Sequence, residues 1–367
     1  MSYAMEVARK EQKYNSIVKT MEIGAFKASL MRAQRLTGEG IHGLPSGTKV
    51  DVFPIAALPG CPDGWVRAAG TYVCPVDADW GLWFDWTMND VYNTAIIPSV
   101  KGMNPITGQK INHIGMEQYR DKCPIHGTDF SHDRYCEKCD YKWPPQNYVC
   151  YPDTLWWDGF RSPDGHVRQF FFTDEEKKDI ASLVIGKENT VPAFGFVFYQ
   201  TKNPRNIQPP RYLRGEPTFF GPIHTPQNWN IYGADEMVGA SLDWTGDDSD
   251  DDVKIIHGGG TASVSYNANQ SHPKKKAAYD KKFLRGEIQT SAAFSKPVKD
   301  VSVGGGARIN QSLSPDPLAL DAWTEKESGL IRLYFVFEEQ FRQIVEKGGI
   351  KDISGTEEGY LSGLPLG

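Results

Sequence analysis

Apolar and polar positions alternate in short runs along most of this chain, and glycine or proline closes each run. KVDVFPIAAL (49–58), GWVRAAGTYVCPV (64–76), GLWFDWTM (81–88), AFGFVFYQ (193–200) and LIRLYFVF (330–337) are dense in β-branched and aromatic residues, the composition of strands. Turn chemistry separates the runs at Pro62-Asp63-Gly64 and Pro105-Ile106-Thr107-Gly108. LWWDGFR (155–161) and HVRQFFF (166–172) flank Ser162-Pro163-Asp164-Gly165, which predicts a hairpin. Helical spacing is confined to three places. Over residues 3–36, Tyr14, Ile17, Val18, Met21, Ala25, Ala28 and Met31 recur at helical steps, predicting one helix or two joined near Gly24. Thr173-Asp174-Glu175-Glu176 reads as a capping box ahead of a helix from Asp174 to Ile185, stopped at Gly186. EEQFRQIVEKGG (338–349) places Phe341, Ile344 and Val345 on one helical face before two glycines.

One stretch fits neither period: CPIHGTDFSHDRYCEKCDYKWP, residues 123–144. Cys123 and His126 form one pair, and Cys136 and Cys139 form a second after nine intervening residues. Soft sulfur and borderline nitrogen donors in two such pairs suit one tetrahedral Zn²⁺ with a closed first shell. Each pair sits on a tight turn, Cys-Pro-Ile-His-Gly and Cys-Glu-Lys-Cys-Asp, where amides can turn toward sulfur; Tyr135, Tyr141 and Trp143 can shield one side. The segment resembles the zinc-ribbon or rubredoxin-like knuckle class over about 20 residues, with His126 where many ribbons carry a cysteine. His132 and His113 are alternatives to His126 as the fourth ligand. Four protein ligands leave no open position, so the expected zinc is structural rather than catalytic. A polar loop of about 20 residues without a core needs such a staple.

These readings predict a mainly β (α+β) fold: antiparallel, sandwich-like sheets with a long N-terminal helix, a zinc-knuckle insertion and a short C-terminal helix. The division expected is an N-terminal helical arm (1–40), a β-rich domain (41–245) with the knuckle insertion at 113–150, and a second β-rich segment (246–367) ending in strand, helix and tail. The chain's 36 glycines, 24 prolines and 12% aromatic residues agree with strand-and-turn architecture. Gly258-Gly259-Gly260 and Gly304-Gly305-Gly306 share flanking Val-Lys and Asn-Gln-Ser, either a weak internal duplication or shared composition. Neither triplet has the spacing of a nucleotide-binding loop.

Composition narrows the function classes. The net charge of −6 argues against nucleic acid as a partner. Three of the six cysteines belong to the knuckle, and Cys61, Cys74 and Cys150 cannot all pair within the chain, which favours a reducing, cytoplasmic place of synthesis. The N-terminus lacks a secretory leader's apolar run, and no stretch of about 18 apolar residues predicts a membrane span. Asp247, Asp248, Asp250, Asp251 and Asp252 form an acidic run, and Lys274, Lys275, Lys276, Lys281, Lys282 and Arg285 a basic one. They read as solvated loop tips or as complementary contacts between subunits. The aspartate spacing does not match a calcium loop. Residues 261–270 alternate as an ordinary half-exposed hairpin strand would, a pattern shared with membrane-inserting hairpins, though a lysine-rich tip would be costly to carry across a bilayer.

Catalytic signatures are sparse. Trp83, Trp86, Trp156 and Trp157 beside Asp85 and Asp158 could line a sugar cleft, although core tryptophans and turn aspartates give the same pattern. Cys61 and Cys74 have no adjacent base, and no serine-hydrolase elbow, zinc-protease helix or Walker loop occurs. The sequence therefore points to a non-enzymatic structural subunit that self-assembles into a filament, shell or large homo-oligomeric complex. A pore-forming or membrane-active β protein is the first alternative, and a carbohydrate-binding protein or hydrolase the second.

Overall fold

The computed structural model describes residues 16–89, 93–185, 193–203, 284–285 and 300–353. In chain order the strands begin with β1 (Met21–Ile23), β2 (Phe26–Ala33), β3 (Ile41–His42), β4 (Gly47–Lys49), β5 (Phe53–Pro54), β6 (Thr71–Val76) and β7 (Gly81–Asp85). They continue with β8 (Thr94–Val100), β9 (Met103–Asn104), β10 (Gln109–Lys110), β11 (Tyr135–Cys136), β12 (Tyr141–Lys142) and β13 (Val149–Tyr151). The last six are β14 (Trp156–Trp157), β15 (Gly159–Arg161), β16 (Val167–Thr173), β17 (Ala193–Gln200), β18 (Ser302–Ile309) and β19 (Gly329–Phe337). Two described α-helices, α1 (Ile180–Ile185) and α2 (Glu338–Gly348), complete the set, and neither is long and apolar enough to cross a membrane.

The first sheet has the order β1-β2-β7-β16-β18-β3, with β4, β14 and β15 attached to β2, β7 and β16. The second has the order β10-β9-β8-β17-β19-β6-β5, with β13 on β8. Pairing is antiparallel except for β18 with β3 and β19 with β6. The mainly β expectation holds. The segments expected as separate share these sheets: β18 lies between β16 and β3, and β19 between β17 and β6.

Period-two alternation builds the core. Phe194, Phe196 and Phe198 of β17 point inward with Ile331, Leu333 and Phe335 of β19, and meet Phe84, Phe170 and Phe172 of the facing sheet. Ring centroids lie 4.5 Å apart for Phe84–Phe194 and 4.7 Å for Phe172–Phe335, the spacing of interlocked aromatic side chains. The other face of the second sheet is also covered. Tyr334 and Val336 share an apolar cluster with Phe341 and Ile344 of α2, and Trp65 stacks on Tyr334 at 4.2 Å. Burial on both faces explains why these strands read as nearly continuous apolar runs. The Gly304–Gly306 triplet is a packing device: a Cβ on Gly304 would lie 2.4 Å from the Phe171 ring, and one on Gly305 would lie 2.6 Å from Phe160. The matching triplet at 258–260 lies outside the described residues, as do the acidic run, the lysines of the basic run and the alternating stretch 261–270.

Two expectations are corrected. The helix predicted over 3–36 is absent from its described part, where β1 and β2 form a hairpin around Gly24, whose φ is +60°. Met21, Ala28 and Leu30 enter the inter-sheet core, while Met31 and Ala33 pack on the opposite face beside Trp83, so two-sided burial imitated a helical spacing. Residues 1–15 lie outside the described chain. The predicted Thr173 capping box is also replaced. Thr173 Oγ1 accepts a bond from the Glu175 amide, a 3-10 turn spans Glu176–Lys178, and the α-helix begins after Asp179. Asp179 Oδ2 accepts from the Ser182 amide at 3.1 Å and from the Ser182 hydroxyl at 2.5 Å. The hairpin at 162–166 and the helix ending at Gly349 form as expected.

The same Asp179 joins the sheets. Its Oδ1 accepts from Val303 of the first sheet at 3.0 Å and pairs with Lys101 Nζ, on the turn after β8 of the second sheet, at 3.0 Å. Both side chains are buried, so removing one charge strands the other without solvent. Lys101→Met is expected to destabilise the fold by about 3–5 kcal/mol in urea denaturation. A loss below about 1 kcal/mol would show that this pair does not tie the sheets together.

Candidate metal centre

The excursion between β10 and β13 is pinned at its base before it reaches the metal ligands. Asn147 Oδ1 accepts from the Glu117 amide at 2.8 Å, and its Nδ2 donates to the Gly115 carbonyl at 2.9 Å. Tyr141 O–H reaches back to the Thr107 carbonyl at 2.5 Å. Two turns then converge. In the first, the Gly127 amide donates to Cys123 O at 2.8 Å, with Gly127 at φ +62° closing the turn. In the second, β11 and β12 pair Cys136 with Tyr141, and Asp140 adopts φ +49° just after Cys139.

These turns bring together Cys123, His126, Cys136 and Cys139, whose ligand atoms all lie within 4.8 Å of one another. Cys123 Sγ is 3.8 Å from Cys139 Sγ and 3.7 Å from His126 Nδ1, and Cys136 Sγ is 3.6 Å from the same nitrogen. A tetrahedron with sulfur about 2.3 Å and nitrogen about 2.0 Å from its centre has edges of about 3.8 Å (S–S) and 3.5 Å (S–N). The four side chains therefore form a set that could hold a metal ion through three sulfurs and Nδ1. Cys123 and Cys136 are buried, Cys139 is half-buried and His126 faces solvent. The alternative fourth ligands lie elsewhere: His132 bonds Ser131 Oγ through Nδ1, and His113 pairs with Glu117 through Nε2.

The cluster's electrostatics treat two of its sulfurs in opposite ways. Burial opposes ionisation of Cys136, but the Cys139 amide and the His126 ring outweigh it, and the thiol falls to about 6. Burial pushes Cys139 up to about 11, and the neighbouring Cys136 and Cys123 sulfurs add to the rise. A bound cation would reverse that cost, since it stabilises every thiolate at once. Outside the cluster, burial pushes Cys61 up to about 12 and raises Cys74 and Cys150, so these three are inert core thiols.

An aromatic collar encloses the sulfur side. Trp143 meets Tyr119 edge-on at 5.1 Å and Tyr141 at 5.3 Å, packed with Cys123 and Cys136. Tyr135 is not part of it: its ring lies over His132 and its hydroxyl bonds Asp140. Tyr119 takes its place. Its residue type and its position four residues before Cys123 were the signal available, but no periodic pattern marked it.

The aromatic–acid constellation resolves differently. Trp86 and Trp157 are fully buried, and Trp83 and Trp156 pack together on the outer side of the first sheet. Asp85 is 7% exposed and accepts from the Thr87 amide; Asp158 is 1% exposed. Both carboxyl groups are raised by burial, Asp158 to about 8. These six side chains are packed in or against the first sheet. In comparisons with known proteins, no family model, curated protein or solved structure matches this chain.

The Asp158 titration has a definite sign. An unfolded aspartate ionises near about 3.9, whereas the folded one keeps its proton to about 8. Between those values the folded state binds more protons, so this group lowers stability as pH rises. Asp158→Asn is expected to gain on the wild type between about pH 5 and pH 8, by a few kcal/mol at most, in urea midpoints. Parallel pH profiles for the two proteins would show that Asp158 is not held protonated.

Proposed function

We propose that this protein is a structural subunit that self-assembles into a filament, shell or large homo-oligomeric complex. In this reading a structural Zn²⁺ held by Cys123, His126, Cys136 and Cys139 fixes one of its surfaces. The observation that carries it is the closed donor set: four protein ligands at tetrahedral separations, three of them cysteines, behind an aromatic collar. Three thiolates and an imidazole suit zinc among the common divalent ions, and a complete tetrahedron leaves no position for substrate or activated water. The metal then supplies folding energy to an excursion that has little apolar surface of its own.

Two further features support presentation of surface over catalysis. The paired acids that a glycosidase would use are buried in sheet interiors. On the outside, adjacent Leu183 and Val184 of α1 are 77% and 40% exposed, an apolar contact point for a second copy. The acidic and basic runs supply opposite charges that would steer such contacts.

Elemental analysis is expected to find about one zinc per chain, and Cys136→Ser or Cys139→Ser to lose it. In hydrogen exchange those variants should loosen residues 113–150 and leave β17 and β19 protected. Wild-type metal content in either variant contradicts the ligand assignment. Light scattering after size exclusion is expected to show a multi-chain particle that grows with concentration. Replacing Lys274, Lys275 and Lys276 together by glutamate should weaken it, most clearly at low salt. A strictly monomeric protein at every concentration rules out the assembly.

A further inference from the structure

The outer face of the second sheet is covered by α2 and Trp65 over β6 and β19, but a cavity of about 350 Å³ lies over β8 and β17. That is the size range of small-molecule sites. Ile97 and Val197 form its floor, and Leu284 borders it, with its carbonyl accepting 2.8 Å from Ser99 Oγ. The metal excursion contributes a wall. Tyr119 and Trp143 of the collar line the cavity, together with Pro124 and Ile125, the two residues between ligands Cys123 and His126.

The lip is polar. Lys110, Asn112 and His113 line it, and the side chains of Lys110 and Asn112 have no hydrogen-bonding or ionic partner among the described residues. His113 is held in place. Its Nε2 is 2.9 Å from Glu117 Oε1, and Glu117 Oε2 accepts from Tyr119 O–H at 2.5 Å. Both Glu117 oxygens are thus engaged, and His113 Nδ1 has no hydrogen-bond partner among the described residues. An ammonium and an amide unpaired among the described residues, with a braced imidazole, stand over an apolar floor with an aromatic wall. A cation would meet Lys110, and a wholly polar ligand would gain nothing from Ile97, Val197 and Trp143.

We propose that this cleft binds a small carboxylate with an apolar or aromatic body. Lys110 seats the carboxylate by a charge-assisted hydrogen bond, Asn112 and His113 add hydrogen bonds, and the body lies against Trp143 and the sheet. The wall's rigidity rests on the zinc reading above; the floor and lip do not.

Benzoate, benzyl alcohol and benzylamine are suitable probes, titrated into the metal-loaded full chain by calorimetry. Benzoate is expected to bind at least about tenfold more tightly than the other two, and Lys110→Glu to weaken benzoate by at least about tenfold. Lys110 is exposed and is no metal ligand, so the variant should keep its fold and metal content. Failure of benzoate to bind, no preference over benzyl alcohol, or indifference to Lys110→Glu overturns the site. Chelation, checked by elemental analysis, should weaken benzoate by a similar factor, and unchanged affinity in the stripped chain overturns the knuckle's role as the wall. If the purified chain holds no metal, the zinc reading fails, while the Lys110→Glu comparison still decides the cleft.

Discussion

The convergence of three thiols and one imidazole within 4.8 Å is the constraint around which the excursion between β10 and β13 is organised. Residues 117–147 make two short strands, Tyr135–Cys136 and Tyr141–Lys142, and a small cluster around Trp143. Left to itself, a segment of this composition buries too little apolar area to offset its ordering entropy. Four donors closing on one cation would change that balance, because the binding energy of the ion would become folding energy for the loop. Tyr119, Pro124, Ile125 and Trp143 surround the cluster or lie between its members, and they form one side of the cleft over the second sheet.

The core that carries the excursion is of another kind. Phenylalanines from both sheets interlock at centroid separations of 4.5 to 4.7 Å, and the second sheet is roofed by α2 on its far side. Glycines at 304 and 305 admit the rings of Phe171 and Phe160 where no side chain would fit. At one end the buried Lys101–Asp179 pair joins the turn after β8, the start of α1 and the backbone of β18. Strands from residues 302–337 occupy interior places in both sheets, so the two-sheet body is completed only by the C-terminal part of the chain. This platform carries the excursion between β10 and β13; with a metal bound as proposed, it would present that element as a braced surface.

What the sequence disclosed follows the range of the interactions involved. The convergence of Cys123, His126, Cys136 and Cys139 was legible, because such pairs on tight turns are local and chemically distinctive. The 162–166 hairpin, the strands at 193–200 and 329–337 and the helix ending at Gly349 were legible for the same reason: turn residues, alternation and a C-terminal glycine act within a few positions. The hairpin of β1 and β2 was not. Met21, Ala28 and Leu30 face one core, while Met31 and Ala33 face another, and the union of the two sets has helical steps. Asp179 was passed over because its partners, Lys101 and Val303, are distant in sequence, whereas the more obvious Thr173 lies nearby. The tryptophan–aspartate neighbours follow the packing alternative that the sequence already offered: Trp86, Trp157, Asp85 and Asp158 are buried, and Trp83 packs with Trp156 on the outer side of the first sheet. Sheet order, and the collar's use of Tyr119 in place of Tyr135, depend on long-range packing that no local pattern encodes.

X-ray absorption at the zinc edge on the purified chain tests the central claim most directly. The account predicts a four-coordinate first shell of three sulfurs at about 2.3 Å and one nitrogen at about 2.0 Å. A shell of oxygen and nitrogen alone, a coordination number above four, or the absence of zinc would contradict it.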